Sequence, residues 1–285
     1  MTLSAPILHE QNDPGILEMK LSDMRAIARM MEENTGNVFP ETKHALIQSR
    51  VHKRMISRKI DNFKEYIAFL ASPNGRREKE ELIYTLTTNT TRFFRESHHF
   101  DNLRHNILPT LIARAKRGGR VRIWSAGCSS GEEPYSIAML AILLEPDLGQ
   151  YDFKILATDL YRNMVSYALR GQYPGDRLST LPSDIQPLLT CHDDMLVMPD
   201  SMRKLISFRE LNLLHEWPFK GHFDIIFCRN VLIYFNEDIS DQLWSKFSAR
   251  ILPGGHMFIG HSERVRVPES IGLSLTGITT YEKNL

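Results

Sequence analysis

Val121-Arg122-Ile123-Trp124-Ser125-Ala126-Gly127-Cys128-Ser129-Ser130-Gly131-Glu132-Glu133-Pro134 is the stretch on which the fold turns. Apolar residues run into a small-residue turn, and Pro134 suits the first turn of a helix. Working outward, residues 153–158, 223–228 and 256–260 repeat the short apolar run, each ending in small or polar residues. Amphipathic segments at residues 135–144, 163–169 and 239–252 lie between them. Strands buried on both faces that alternate with helices predict an α/β fold built on a doubly wound, mostly parallel sheet. Residues 273–282, split by Gly277, read as a closing hairpin. Ligands of such sheets bind beyond the carboxyl ends of the strands.

The first of those ends has an unusual charge. A glycine-rich turn entering a helix ordinarily attracts phosphate, because free N–H groups and the helix dipole favour anions. Here Glu132 and Glu133 stand at the entrance, where they stabilise the helix but repel a pyrophosphate. The turn around Gly127 therefore suits a cofactor that lacks phosphates and carries positive charge, such as S-adenosylmethionine. Asp159 closes the second strand, placed to accept hydrogen bonds from ribose hydroxyls. It lies 32 residues past Gly127, beyond the about 20 of the dinucleotide fingerprint, and a longer intervening helix is the expected reason.

The 285 residues are 42% hydrophobic and 24% charged, an ordinary globular balance. Thirty-five Lys+Arg against 34 Asp+Glu leave +1 overall, so no chain-wide field draws the protein to nucleic acid or anionic lipid. The charge is uneven: residues 1–118 carry +5 and the remainder −4. The basic part reads as a small all-helical domain over residues 18–90. Met24, Ile27 and Met31 stripe a first helix, capped by Ser22 and ended at Gly36. Leu46, Ile47, Val51 and Met55 stripe a second, over residues 41–60. A third covers residues 63–71, stopped by Ser72-Pro73-Asn74-Gly75. The fourth begins near Glu78 and carries Leu82, Ile83 and Leu86. Residues 1–17 read as a flexible segment without secretion features, residues 91–120 as a linker and connecting helix, and residues 121–285 as the sheet domain. No apolar run is long enough for membrane insertion, and a cytoplasmic location is expected. Cys128, Cys191 and Cys228 show no CxxC spacing, and Cys128 and Cys228 read as buried thiols. The pair His98–His99 belongs to no ligand motif, and no metal is expected.

Two further segments bear on function. Thr88-Asn89-Thr90-Thr91-Arg92-Phe93-Phe94-Arg95-Glu96 sets polar residues around an aromatic pair, read either as a pocket wall or as a linker docked by Phe93 and Phe94. Phe227-Cys228-Arg229-Asn230-Val231-Leu232-Ile233-Tyr234-Phe235 leaves a buried strand with Arg229 at its end, where an unpaired charge is costly. Arg229 reads either as a functional group or as an ion pair to the helix-entrance carboxylates.

With Ala126-Gly127-Cys128-Ser129-Ser130-Gly131-Glu132-Glu133-Pro134-Tyr135-Ser136 and Gly260-His261-Ser262-Glu263, these segments resemble the CheR family, the chemoreceptor glutamate O-methyltransferases of bacterial chemotaxis. The resemblance covers residues 20–285. It implies that Asn89, Thr91 and Arg95 contact the methionyl end of S-adenosylmethionine or the transfer locus. It further implies that Glu133 holds the cofactor amino group, Asp159 the ribose, and Asn212 and Leu213 the adenine. Arg229 and Asn230 would line the pocket, and Tyr234 would lie beside the transferred methyl.

A glutamate is anionic at neutral pH, with an ordinary pKa of about 4.3. Its methylation needs no general base, and Arg95 and Tyr234 are the expected catalytic pair, orienting the carboxylate. Arg50, Lys53, Arg54 and Arg58 belong to a stretch with five Lys/Arg and no acid. In the family the equivalent helix faces the acidic methylation region of receptor helices. Some members also insert a small antiparallel β-subdomain that grips a C-terminal receptor tether peptide. Here residues 195–197 and 205–209 are expected to be two of its strands, within residues 190–210. Because Thr190-Cys191-His192-Asp193-Asp194 has no glycine-rich turn, tether-independent recognition is expected. The product would be S-adenosylhomocysteine, and a monomer is expected. Two other readings are a methyltransferase for RNA or a small molecule, and a non-enzymatic sensor of the cofactor.

Overall fold

Four helices make the first of two units: α1 (Leu21–Thr35), α2 (His44–Arg58), α3 (Phe63–Ala71) and α4 (Arg76–Leu86). The computed structural model describes residues 18–36, 38–86 and 91–285, so the expectations for residues 1–17 and for Asn89 lie outside the described residues. Met24, Ile27 and Met31 are buried along α1 as their spacing requires. Ser22 is not the cap: the Lys20 carbonyl accepts the Asp23 and Met24 N–H groups, and Ser22 falls inside the first turn. On α2, Ile47, Val51 and Met55 are buried, whereas Leu46 sits one position off the stripe and is exposed. Asn62 caps α3 by accepting the Glu65 N–H at 2.7 Å.

This unit is organised around one carboxylate. Glu78 of α4 is fully buried and accepts from Arg54 twice, at 2.8 and 2.7 Å, from the Tyr66 hydroxyl at 2.8 Å, and from Arg58. Burial alone would raise the Glu78 carboxyl, but these donors outweigh it and hold the group below its ordinary range. Arg50 donates to the Thr85 and Leu86 carbonyls at 3.0 and 2.9 Å, at the negative end of α4. The stretch that looked uncompensated in sequence thus finds its acid 20 and 24 residues further on. Lys53 remains exposed.

The second unit takes residues 35–38 and 89–285. Its connecting helix is α5 (Ser97–Asn102) and α6 (Leu108–Lys116), joined by a π turn at Leu103–Ile107. Pro109 gives the reason: it has no N–H to donate and its ring crowds the preceding turn. There follow β1 (Val121–Ala126), α7 (Glu132–Leu144), β2 (Phe153–Asp159), α8 (Arg162–Arg170), β3 (Gln172–Pro174), β4 (Thr190–His192), β5 (Met195–Val197), α9 (Asp200–Arg203) and β6 (Ile206–Glu210). The chain ends with β7 (Phe223–Cys228), α10 (Glu237–Ser248), β8 (Ile251–Ile259), β9 (Leu273–Gly277) and β10 (Thr280–Lys283).

Seven strands form the main sheet in the order β6-β2-β1-β7-β8-β10-β9. The first five run parallel, and β10 and β9 join antiparallel as the expected hairpin. Side chains alternate between two cores: Ile123, Ile155, Ile225 and Phe227 pack with α5, α6, α7 and α8 residues, while Trp124, Ile226, Cys228 and Met257 pack with Leu243, Trp244 and Phe247 of α10. Residues around the whole circumference of α7 are buried, because it lies against β2 and β6 and also against α5, α6 and α9. Two expected boundaries move. The third sheet-domain helix stops at Ser248, and Ile251 and Leu252 open β8 instead. The long spacing from Gly127 to Asp159 comes from the loop after α7, with a 3-10 turn at Leu148–Gln150, not from a longer helix.

A separate three-stranded antiparallel sheet has the order β3-β5-β4. The expected strand at residues 195–197 belongs to it, but residues 205–209 do not: they pair in parallel with β2 as the edge strand of the main sheet. The small sheet therefore spans residues 172–197, not 190–210. Its hairpin turns through Asp193 and Asp194, both at positive φ, the two-residue geometry whose twist matches the strands. The Met198 N–H meets the Gly171 carbonyl at 2.8 Å, so the excursion leaves and re-enters at one point. Tyr173 reaches out of it, its hydroxyl donating to the Ser130 carbonyl at 2.7 Å. No helix among the described residues is long and apolar enough to cross a membrane.

Candidate active site

Strand order reverses between β1 and β7, whose chains leave the sheet in opposite directions and open a crevice at their carboxyl ends. Register brings the ends together: Ser125 pairs with Ala157 and Phe227, and Cys228 with Ile259. Gly127, Asp159, Arg229 and Gly260 consequently leave four neighbouring strands at one level.

Gly127 turns at φ +78°, and a Cβ there would stand 2.4 Å from Val231 Cγ2. Only glycine allows the β1 and β7 loops to approach this closely. The Gly127 and Cys128 N–H groups both donate to the Thr158 carbonyl, at 2.8 and 2.9 Å. Ser129 then enters the left-handed region and donates its N–H to Asp159 Oδ2 at 2.7 Å, while Tyr161 N–H serves Oδ1 at 2.9 Å. Burial pushes the Asp159 carboxyl up to about 6, against these backbone donors.

Glu133, at the start of α7, accepts from the Ser125 hydroxyl at 2.7 Å and from Arg229 at 3.1 Å. Burial still raises its carboxyl above the ordinary range. The Arg229 side chain is 2% exposed and has a second carboxylate, Glu96, at 3.4 Å. It also donates to the Arg95 carbonyl and lies over the Phe100 ring at 5.5 Å. The ion-pair reading of Arg229 is thus the one the structure realises, with one arginine spanning two carboxylates. Glu96 accepts from His261 at 2.9 Å and from Asn230 at 3.3 Å. Burial alone would raise the Glu96 carboxyl; His261, the Arg229 charge and the Asn230 amide together bring it down to about 2.

The segment before α5 lies at the entrance of α7, where the Phe94 N–H donates to the Ser136 hydroxyl at 3.0 Å. Phe93 is buried edge-on to Tyr173, and Phe94 packs on Phe100. The linker reading of this segment is realised over its described residues, since Phe93 and Phe94 dock in the core, while Thr91 and Arg95 are half-buried. Asn212 follows β6, after the Leu211 N–H has bonded the Asp159 carbonyl at 2.9 Å. Leu213 is buried in the α10-side core, and its carbonyl receives Trp217 and Lys246. Tyr234 is half-buried in a 3-10 turn at Leu232–Tyr234, and its carbonyl accepts the Val38 N–H at 2.7 Å. Arg50, Lys53, Arg54 and Arg58 belong to the helical unit and are not among these groups.

Glu263 closes the Gly260-His261-Ser262-Glu263 motif. Its buried carboxylate accepts four backbone N–H groups, from Gly260, Asn230, Val231 and Leu232, at 2.5 to 2.9 Å. It thereby fixes Asn230 at φ +60°, a left-handed conformation that non-glycine residues seldom adopt. Gly260 permits the approach, because a Cβ would stand 2.4 Å from the Asn230 amide. The sequence signal was the glycine three residues before an acid at a strand end. Three more ligand-type atoms, on Glu96, His98 and His99, lie within 4.8 Å of one another, although no spacing in the sequence suggested it.

The crevice presents acids and neutral amides, and its arginine is already occupied by two carboxylates. That donor set fits a cationic, phosphate-free cofactor. Residues 89–281 match the family model for the CheR methyltransferase S-adenosylmethionine-binding domain, and residues 22–87 match that for the CheR methyltransferase all-alpha domain. A probable chemotaxis protein methyltransferase of Rhizobium etli is 43% identical over 257 residues, 88% of this chain and 96% of the relative. The chemotaxis protein methyltransferase of Borreliella burgdorferi is 39% identical over 268 residues, covering 92% of this chain and 94% of its own. That of Escherichia coli is 34% identical over 273 residues, 92% of each. Over both its units, then, the chain belongs to the CheR family and is an S-adenosylmethionine-dependent methyltransferase of chemotaxis.

Proposed function

We propose that the protein methylates glutamate side chains on the cytoplasmic helices of chemoreceptors, adjusting receptor signalling during adaptation. The observation that carries this reading is the acid-lined crevice, with Asp159 and Glu133 aimed where β1 and β2 end and Arg229 already held by two carboxylates. S-adenosylmethionine supplies a methyl group on a cationic sulfur, and a substrate carboxylate oxygen bonds that carbon as the carbon–sulfur bond breaks. The products are a methyl ester and S-adenosylhomocysteine.

In this reading Asp159 accepts the ribose hydroxyls, and Asn212 and Leu213 border the adenine beyond β6. Glu133 takes the cofactor ammonium while Arg229 keeps its position, Gly127 and Asn230 shape the walls, and Thr91, with Asn89 from outside the described residues, contacts the methionyl end. Arg95 and Tyr234 orient the incoming carboxylate. A substrate that is already anionic asks no base of the protein, and the work left is alignment and exclusion of water. Arg95 must steer the carboxylate without pairing so tightly that its nucleophilicity falls. Lys53 and the basic flank of α2 give the helical unit a positive face toward acidic receptor helices. The Asp193-Asp194 turn favours recognition without a tether peptide. The protein would act in the cytoplasm as a monomer.

The test is methyl transfer from radiolabelled S-adenosylmethionine to a receptor cytoplasmic fragment and, in parallel, to RNA. Label on the fragment that is released as methanol in base, and lost when its methylation-region glutamates become alanine, supports the reading. Label on RNA, or none on protein, overturns it.

A further inference from the structure

Between the reacting crevice and the C-terminal hairpin, three side-chain atoms converge without hydrogen-bond partners: Glu96 Oε2, His98 Nε2 and His99 Nδ1. One ligand-type atom from each of the three residues lies within 4.8 Å of the other two. A buried polar atom without a partner costs about 1–3 kcal/mol, and three in one spot call for a shared occupant.

The surroundings specify its chemistry. His99 is fully buried, and its Nε2 faces the Ile278 carbonyl at 3.2 Å and the Thr279 hydroxyl at 2.8 Å. A proton on Nε2 satisfies that carbonyl and leaves Nδ1 as a bare lone pair, 3.6 Å from Glu96 Oε2. Two lone pairs at that separation are too far apart to bond and repel unless a cation lies between them. Around a tetrahedral ion with bonds of about 2.1 Å, ligand atoms stand about 3.4 Å apart. The pair at 3.6 Å already matches, and His98, within 4.8 Å of both, needs to close by about 1.4 Å at most.

We propose that Glu96, His98 and His99 bind one divalent first-row transition ion, with Zn2+ the best fit to two imidazoles and a carboxylate. The supporting shell is in place. Ile278 and Thr279 orient His99, and His261 and Asn230 hold the other oxygen of Glu96, as metal ligands require. Arg229 and Arg95 flank Glu96 at 3.4 and 3.9 Å; they do not exclude a further cation, because Glu133 meets the Arg229 charge at 3.1 Å and Arg95 approaches only the other oxygen of Glu96. A bound ion would tie the start of α5 to the β9–β10 turn, keeping Glu96 and Arg229 in position beside the crevice.

The experiment uses the full chain, stripped with a chelator and titrated with Co2+ and then Zn2+. The expected result is one ion per chain, a visible Co2+ d–d spectrum of low-symmetry N/O coordination that Zn2+ abolishes, and a higher melting temperature with metal. His98→Ala and Glu96→Gln should each weaken binding more than about a hundredfold, beyond the effect of losing an outer-shell partner. His192→Ala, on the exposed hairpin, should change nothing. The two variants must first show the parent's far-ultraviolet circular dichroism; should Glu96→Gln misfold, His98→Ala decides alone, since His98 Nε2 makes no hydrogen bond to lose. Absence of stoichiometric binding, or binding unchanged in His98→Ala, overturns the proposal.

Discussion

The Arg229 guanidinium stands 3.1 Å from the Glu133 carboxylate across the point where strand order reverses. One residue ends β7 and the other begins α7, so the pair pins together the two lips of the crevice. Its second contact, to Glu96, extends the pin to the start of α5.

Removing that arginine leaves two carboxylates facing each other out of water. Arg229→Met should therefore destabilise the protein by about 3–5 kcal/mol, read from urea denaturation. Adding Glu133→Gln to it should recover part of the loss. A change below about 1 kcal/mol would mean that water reaches the pair and that the pin is ornamental.

Asp159 predicts a pH dependence. Its carboxyl titrates near 6 in the free protein, and ribose hydroxyls need the ionised form. Affinity for S-adenosylhomocysteine should be flat above about pH 7 and fall roughly tenfold by about pH 5, as the folded state takes up the proton. Stability runs the other way: a carboxyl raised from 3.8 to about 6 destabilises the free fold by about 3 kcal/mol at neutral pH. That burden is relieved as pH falls through 6 toward 4. Calorimetric titrations across this range, repeated on Asp159→Ala, check the first claim. Affinity independent of pH would remove Asp159 from the ribose.

Arg95 offers a separation of effects. Its carbonyl, not its side chain, accepts from Arg229, and its guanidinium reaches Glu96 only at 3.9 Å, so Arg95→Ala keeps both contacts of Arg229. Turnover should drop about ten- to a hundredfold while the affinity for S-adenosylhomocysteine stays within about threefold. Equal losses in both would make Arg95 a cofactor ligand instead.

The basic helix requires a sharper variant than reversal of its arginines. Arg54 and Arg58 neutralise buried Glu78, so Arg54→Glu should melt the helical unit, visible as lost helical circular dichroism. Lys53→Glu leaves that clamp alone. It should slow receptor methylation several-fold at low ionic strength, with the gap closing near about 0.5 M salt as screening shortens the range. Cofactor affinity should not move. A salt-independent defect would place the receptor elsewhere.

Periodicity made the sheet legible, because strands with both faces buried read as apolar runs, and β1, β2 and β7 fall within about a residue of their expected ends. Leu205–Arg209 was harder. A short edge strand with one exposed face carries the same pattern in either sheet, and only its pairing with β2 separates the two. Gly127, Glu133 and Asp159 were readable since each follows directly from a strand or opens a helix. Glu96 and Glu263 were not, for their meaning lies in partners 134 and 33 residues away. The same distance in sequence hid Glu78 from the basic stretch it neutralises.

The contact between Gly171 and Met198 has a bearing on how this enzyme class diversifies. A detour whose two feet touch can be lengthened, shortened or exchanged without disturbing the register of its host, provided Tyr173 is kept to brace the loop at Ser130. Evolution can thus reshape that appendage while inheriting the methyl-transfer chemistry unchanged, and a protein engineer has a ready graft point for a new targeting module.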